Sequence, residues 1–183
     1  MANVTEIKIG GFGGQGVVMA GLLVGQAAAL HDNKFATMTQ AFGPEARGSA
    51  CSSQVIVSDT KVLYPYVTRP DVLVTMNQDA YQRFSPGMKQ DESGLLLYEG
   101  ELVKLGDSHG QARACGIPAT RFAEELGRKM VLNIVMLGFF TAMTKLLTPD
   151  AVRAAIAEVV PRGTEKLNLS AFEKGYAYGL DQN

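Results

Sequence analysis

The chain has no tryptophan, only two cysteines and only two histidines among 183 residues. Cys51 and Cys115 are too few to ligate a cubane iron–sulfur cluster, which normally takes a full set of four thiolates. With His31 and His109 as the only imidazoles and no C-x-x-C pair, a zinc site is not expected either. Two free thiols in a reducing cytoplasm are expected rather than a disulfide. Charge is also scarce: 19% of residues are charged, 17 basic against 18 acidic, for a net charge of -1. No basic run exists, which argues against nucleic acid as a partner. What is abundant is apolar surface, at 46% of residues, and glycine, at 20 residues that cluster rather than scatter. This composition suits one domain, residues 1–183, with a real hydrophobic core.

From Ile9 to Leu30 no residue carries a charge. Spanning a bilayer takes about 20 apolar residues. The first half of the stretch, however, is Gly10-Gly11-Phe12-Gly13-Gly14-Gln15-Gly16, a turn and not a lipid-facing helix. The remainder to Leu30, and a second apolar stretch from Val131 to Thr144 that contains Asn133, are too short. Both read as buried helices, and no membrane span is expected. Met1 to Glu6 lacks the basic start of a signal peptide, so the expected location is cytoplasmic. Two helices this poor in charge are more than a small domain easily hides, which suggests larger partners.

Hydrophobic patterning gives alternating strands and helices. Thr5–Ile9 alternates and runs into glycines, so it reads as a first strand ending in a tight loop. A helix is expected over Gln15–His31, and strands over Phe35–Thr39, Ser53–Ser58, Val72–Met76 and Gly94–Tyr98. Val62–Tyr64 is a candidate hairpin partner, and Glu101–Ala114 is left open between one and two short strands. Further helices are expected over Gln78–Phe84, Thr120–Leu126, Val131–Leu147, Pro149–Val160 with Thr148 as N-cap, and Ser170–Leu180. The expected fold class is α/β, a Rossmann-like mostly parallel sheet with flanking helices. In such sheets, ligands sit at the carboxyl ends of the strands.

Gly11-Phe12-Gly13-Gly14-Gln15-Gly16 satisfies G-x-G-x-x-G between a strand and a helix. Glycines allow the tight turn and let a ligand approach the backbone. The helix end offers unpaired N–H donors and a partial positive charge. No Asp or Glu sits in the first helical turn, so that charge is free for a phosphate, a carboxylate or a carbonyl. A dinucleotide site would also place a carboxylate about 20 residues on. Met38-Thr39-Gln40-Ala41-Phe42 has none. The alternative is that the glycines serve only close helix–sheet packing. Gln15, polar at the mouth of the loop, fits a hydrogen bond to a ligand or partner better.

A second informative loop is Gly43-Pro44-Glu45-Ala46-Arg47-Gly48-Ser49. The Arg47 guanidinium suits two-point binding of a phosphate or carboxylate, or an ion pair with Glu45 or a partner. Taken together, Gly11–Val17, Phe42–Ser49, Ser53-Gln54-Val55-Ile56-Val57-Ser58, Pro70-Asp71, Ile117-Pro118-Ala119 and Asn133–Gly138 follow one another in a family order. The chain resembles the gamma subunit of 2-oxoacid:ferredoxin (acceptor) oxidoreductases, also found as an internal domain of single-chain pyruvate:ferredoxin oxidoreductase. The resemblance covers nearly the whole chain. It departs at Ser49, where the family usually has a second glycine; serine is small enough to keep the loop.

The resemblance implies a complex that oxidatively decarboxylates a 2-oxo acid on thiamine diphosphate and passes the acyl group to coenzyme A. It places thiamine diphosphate, Mg and iron–sulfur clusters on partners, namely alpha, beta and ferredoxin-like delta subunits. No cofactor and no catalytic or metal-ligating residue is expected on this chain alone. Its expected role is shaping the coenzyme A side and assembly, with Gly11, Gly13, Gly14, Gln15, Gly16, Arg47 and Ser49 as candidate binding residues. A stand-alone nucleotide-binding oxidoreductase domain and a purely structural assembly subunit are the alternatives. 2-Oxoglutarate, pyruvate and aryl-glyoxylates all remain open as substrates.

Overall fold

The computed structural model describes residues 3–42 and 50–182. Six strands form one sheet: β1 (Val4–Phe12), β2 (Phe35–Phe42), β3 (Ala50–Ser58), β4 (Val72–Thr75), β5 (Leu95–Glu99) and β6 (Arg113–Ile117). The order across the sheet is β2-β3-β1-β4-β5-β6. β1, β4, β5 and β6 pair in parallel, whereas β3 runs antiparallel to both β1 and β2. Only β3 therefore points the other way, and the mostly parallel α/β expectation holds. The helices are α1 (Val17–Gln26), α2 (Gln78–Phe84), α3 (Ala119–Glu125), α4 (Leu132–Thr144), α5 (Pro149–Val159) and α6 (Glu165–Leu180).

Strand alternation assigns each side chain to a face. Ile7 and Ile9 of β1, Val72 and Val74 of β4, and Val55 and Val57 of β3 face α1 and α4 in the main core. The opposite face carries a smaller core, Leu73 and Leu96 against Tyr81, Met88 and Val103, with α2 as its helix. Every residue from Leu132 to Met143 in α4 is buried. This helix is apolar all round because α6 covers the side turned away from the sheet. Glycines permit that contact: a Cβ on Gly175 would lie 1.9 Å from the Val135 carbonyl oxygen, and one on Gly138 2.1 Å from that of Phe172. The expectation that α4 needs a partner to hide it is thereby corrected, since the chain hides it alone. α1 differs, because Leu22 on its outer side and Leu30 in the following π-helical turn (Ala27–His31) stay exposed.

Thr148 caps α5 by accepting from Ala151 N, and Asp32 in turn accepts from Thr148 N at 2.7 Å and from its hydroxyl at 2.6 Å, tying the end of α1 to the α4–α5 turn. Among the described residues, Val62–Tyr64 forms no hairpin strand; the segment stays a loop. Asp107–His109 forms a short 3-10 turn, followed by β6. No described helix is long and apolar enough to cross a membrane.

Candidate functional site

β1 does not stop at the glycines. It pairs with β3 as far as Phe12, opposite Ala50, so the loop proper is only Gly13 to Gly16. Gln15 N donates to Phe12 O at 3.1 Å and closes the turn. Gly14 (φ 102°) and Gly16 (φ 73°) take left-handed conformations that disfavour other residues. Gly16 is doubly constrained, since a Cβ there would lie 2.4 Å from Asn133 Nδ2. That amide donates to Gly16 O at 3.3 Å, so α4 holds the start of α1. A Cβ on Gly11 would press on Gln15 Oε1 at 2.7 Å. Gly13 and Gly14 are exposed, and the first turn of α1 carries no acid, so the loop presents its backbone to solvent.

The helix after β1 packs on one face of the sheet and the helix after β4 on the other. The crevice between β1 and β4 is therefore the switch point where ligands bind in open α/β sheets. Gln15 spans this crevice. Its Oε1 accepts from Phe12 N at 2.7 Å and from Asn77 Nδ2 at 2.9 Å, and its Nε2 donates to Met76 O at 3.2 Å. Asn77 Oδ1 accepts from Ala80 N at 2.8 Å and caps α2. The Gln15 amide thus ties two strand ends together and keeps one N–H free of these bonds. Arg47 and Ser49 lie outside the described residues, so of the candidate binding residues the structure brings together Gly11, Gly13, Gly14, Gln15 and Gly16.

Beside the loop, a cleft of about 290 Å³ is lined by Gly14, Gln15, Leu102, Thr120, Lys129 and Met130. Its far wall depends on Glu99 at the end of β5. This carboxylate is fully buried and accepts from Glu101 N (2.9 Å), Leu102 N (2.5 Å) and Thr120 N (3.0 Å). Three backbone donors there replace the water that burial removes from its oxygens. The Thr120 hydroxyl has no hydrogen-bond partner among the described residues. A second hollow of about 190 Å³ shares Gly14 and Met130 and reaches Arg128, Asn133 and Thr164. Lys129 pairs with Glu124 at 2.8 Å, which raises its pKa, whereas Arg128 has no ion pair among the described residues. The combination is an apolar trough with cationic groups at its rim, next to exposed loop amides.

A further hollow, about 450 Å³, lies away from the glycine loop around Asp32, Lys34, Lys145 and Thr148. There Asp32 is committed to Thr148 and Lys34 to Asp59, leaving a structural corner. No group of three or more His, Cys, Asp or Glu suited to a metal occurs among the described residues. Cys51 on β3 and Cys115 on β6 are free. Four strand steps separate them, about 19 Å at the usual strand spacing, which rules out both a disulfide and a shared cluster.

The dinucleotide alternative is weakened further by topology. A ribose-binding carboxylate belongs on the strand beside β1. That neighbour here is the antiparallel β3, and β2 lies one strand further out. Sequence reasoning missed Asn77, Glu99, Thr120 and Lys129. Asn77 directly follows a buried strand and precedes Asp79, a helix-start pattern that was available; Glu99 ends the apolar run Leu95–Tyr98, a position where an acid needs donors.

Residues 6–178 match the family described as Pyruvate ferredoxin/flavodoxin oxidoreductase. The chain is 44% identical over 173 residues to the 2-oxoglutarate synthase subunit KorC of Methanocaldococcus jannaschii, covering 93% of this chain and 91% of that one. It is 36% identical to the ketoisovalerate oxidoreductase subunit VorA of Methanothermobacter thermautotrophicus, where 93% of this chain corresponds to 35% of the longer protein. The fold matches the crystal structure of the keto/oxoacid ferredoxin oxidoreductase gamma subunit from Geobacter sulfurreducens with a TM-score of 0.87, at 34% identity and 98% coverage of both chains. Motif order, sheet topology and these likenesses agree: the chain belongs to the pyruvate ferredoxin/flavodoxin oxidoreductase family, as a gamma-type subunit of a 2-oxoacid oxidoreductase.

Proposed function

We propose that this subunit serves a complex that oxidatively decarboxylates a 2-oxo acid to an acyl-CoA, and that its glycine loop and adjoining trough receive part of coenzyme A. The observation that carries this reading is the exposed Gly13–Gly14 backbone at the acid-free start of α1, with Arg128 and Lys129 at the rim of the trough beside it. Loop N–H groups and a helix N-terminus suit phosphate or amide oxygens, and the trough suits an apolar chain. 2-Oxoglutarate is the favoured substrate, because the KorC relative is named for 2-oxoglutarate synthase.

The residues of this chain do not fit an iron–sulfur cluster: two cysteines on distant strands cannot ligate one. Thiamine diphosphate, Mg and the clusters therefore belong to alpha, beta and ferredoxin-like delta partners in this reading, and supply the decarboxylation and electron transfer. This chain binds, orients and excludes water. Arg47 and Ser49, outside the described residues, are proposed from the sequence alone as further coenzyme A contacts. In the assembled enzyme, Arg47→Ala or Arg128→Ala should raise the Michaelis constant for coenzyme A about tenfold or more, the loss expected for one charged hydrogen bond. The constant for the 2-oxo acid should barely change. Gln15 supports a second reading, because its amide is engaged within the fold. If both arginine variants assemble with unchanged coenzyme A kinetics, the loop is architecture alone.

A further inference from the structure

The two faces of the sheet are covered unequally. α1, α3, α4, α5 and α6 contribute to the core on one face. On the other, α2 lies over the centre, and its Phe84 ring sits 4.4 Å from Lys8 Nζ. Toward the outer strands, the loop from Asp59 to Asp71 lies on that side. Register places Gln54 beside Lys8, and Glu6 two residues before it, on this same face. Both hold the loop down: Gln54 Oε1 accepts from Val67 N at 3.2 Å, and Glu6 Oε2 accepts from Thr68 N and Arg69 N at 2.8 Å.

The foot of the loop is thus fixed while its tip projects. Leu63 is 87% exposed, Tyr64 61% and Tyr66 55%, with the two tyrosine rings edge-to-face at 5.5 Å. Val4 and Phe35, both opposite Ser58 in the register, add exposed apolar surface. Exposed tyrosines within an apolar patch are a feature of interaction surfaces. The patch also has a charge signature. Lys8 is half-buried beside Arg83, and neither has an ion pair among the described residues. Burial and the Arg83 charge hold the Lys8 pKa below the ordinary lysine value. An apolar surface bearing a carboxylate would complete this face.

We infer that the loop tip Leu63–Tyr66, with Val4, Phe35 and the Lys8–Arg83 pair, is the docking surface for a companion polypeptide of the same oxidoreductase. The companion corresponds to the part of VorA beyond its domain of this type. In VorA that part is nearly two-thirds of the chain, so a domain of this kind lives in continuous polypeptide with a larger body. The helix-covered face exposes Leu22 and Leu30 beside an apolar hollow of about 220 Å³, but neither an aromatic ring nor a cationic group lines it, and the carboxyl edge of the sheet holds the proposed ligand trough. The inference rests on the functional reading above.

The test uses the intact complex purified through a tag on this chain. A photo-crosslinking amino acid is placed at Tyr64, and in a separate sample at Lys166 on α6, remote from the patch. The Tyr64 sample should yield crosslinked peptides from a companion oxidoreductase subunit, with a carboxylate-bearing segment among them, and the Lys166 sample should not. In parallel, Tyr64→Ala combined with Tyr66→Ala should weaken association with the companion about thirtyfold or more. The melting temperature of the chain itself should hold, because both side chains are mostly exposed. Crosslinks to a second copy of this chain, no crosslinks, or unchanged affinity in the double variant would overturn the docking surface while leaving the functional reading intact. A purified complex without any 2-oxoacid oxidoreductase subunit would overturn the functional reading, and this inference with it.

Discussion

Replacing Gln15 in two ways separates its structural work from ligand binding. Alanine removes two acceptor bonds and one donor bond that link Phe12, Asn77 and Met76. At a net value of about 1 kcal/mol each, with partial compensation by water in this half-buried loop, the loss is about 1.5–3 kcal/mol. Glutamate behaves differently. Its carboxylate still accepts from Phe12 N and Asn77 Nδ2, and more strongly. It cannot donate to Met76 O, which sets two oxygens against each other. A negative charge at the start of α1 recovers about 0.3–1 kcal/mol. Gln15→Glu should therefore stay within about 1 kcal/mol of the parent. Its effect on an anionic ligand is the reverse. A carboxylate about 6 Å from a phosphate, at an effective dielectric of about 20, costs about 2.8 kcal/mol, or roughly a hundredfold in affinity. Urea unfolding and the Michaelis constant for coenzyme A in the assembled enzyme read the two effects. The reasoning fails if glutamate destabilises as much as alanine, or if glutamate leaves the coenzyme A constant unchanged.

Gly16→Ala combines a left-handed backbone with a Cβ 2.4 Å from Asn133 Nδ2, so it should cost about 2–4 kcal/mol, whereas Gly14→Ala, whose Cβ meets open space, should cost only about 1–2 kcal/mol in thermal unfolding. Gly175→Ala puts a methyl 1.9 Å from the Val135 carbonyl oxygen and must push α6 off α4, with a loss of at least about 3 kcal/mol and a drop in melting temperature. Burial pushes the Cys51 thiol above its ordinary pKa, so iodoacetamide should label Cys51 far more slowly than the half-buried Cys115, as peptide mass spectrometry would show. The same shift sets a pH dependence: stability from this thiol is full below about pH 8.5, where it is protonated in both states, and is lost as pH rises through the folded-state value.

Local chemistry made much of this fold legible. The glycine loop, the Thr148–Pro149 helix start and the short apolar strands Val72–Thr75 and Leu95–Glu99 announce themselves by composition. What failed were features set by distant partners. β1 runs on through Gly10 and Gly11 because β3 pairs with it, although glycine alone suggests a turn. The insertion of β3 between β1 and β2 depends on strand pairing that no local pattern encodes. Val62–Tyr64 looked like a hairpin arm, yet Glu6 and Gln54 capture the following backbone and keep it a loop. α6 begins at Glu165 rather than Ser170, because Asn168 turns inward and bonds to Thr164 O at 2.9 Å, so a polar start belongs to the helix. At the site, the glycines were readable, but the bonds from Gln15 to residues 61 and 62 positions away were not.

The most direct measurement reconstitutes the oxidoreductase anaerobically from its subunits, with and without this chain, and follows 2-oxoglutarate-dependent ferredoxin reduction as coenzyme A is titrated. Coenzyme A-dependent turnover should appear only when this chain is present, and the chain alone should show neither iron–sulfur absorption nor turnover. Full coenzyme A-dependent activity from the other subunits without it, or turnover by the isolated chain, would contradict the account.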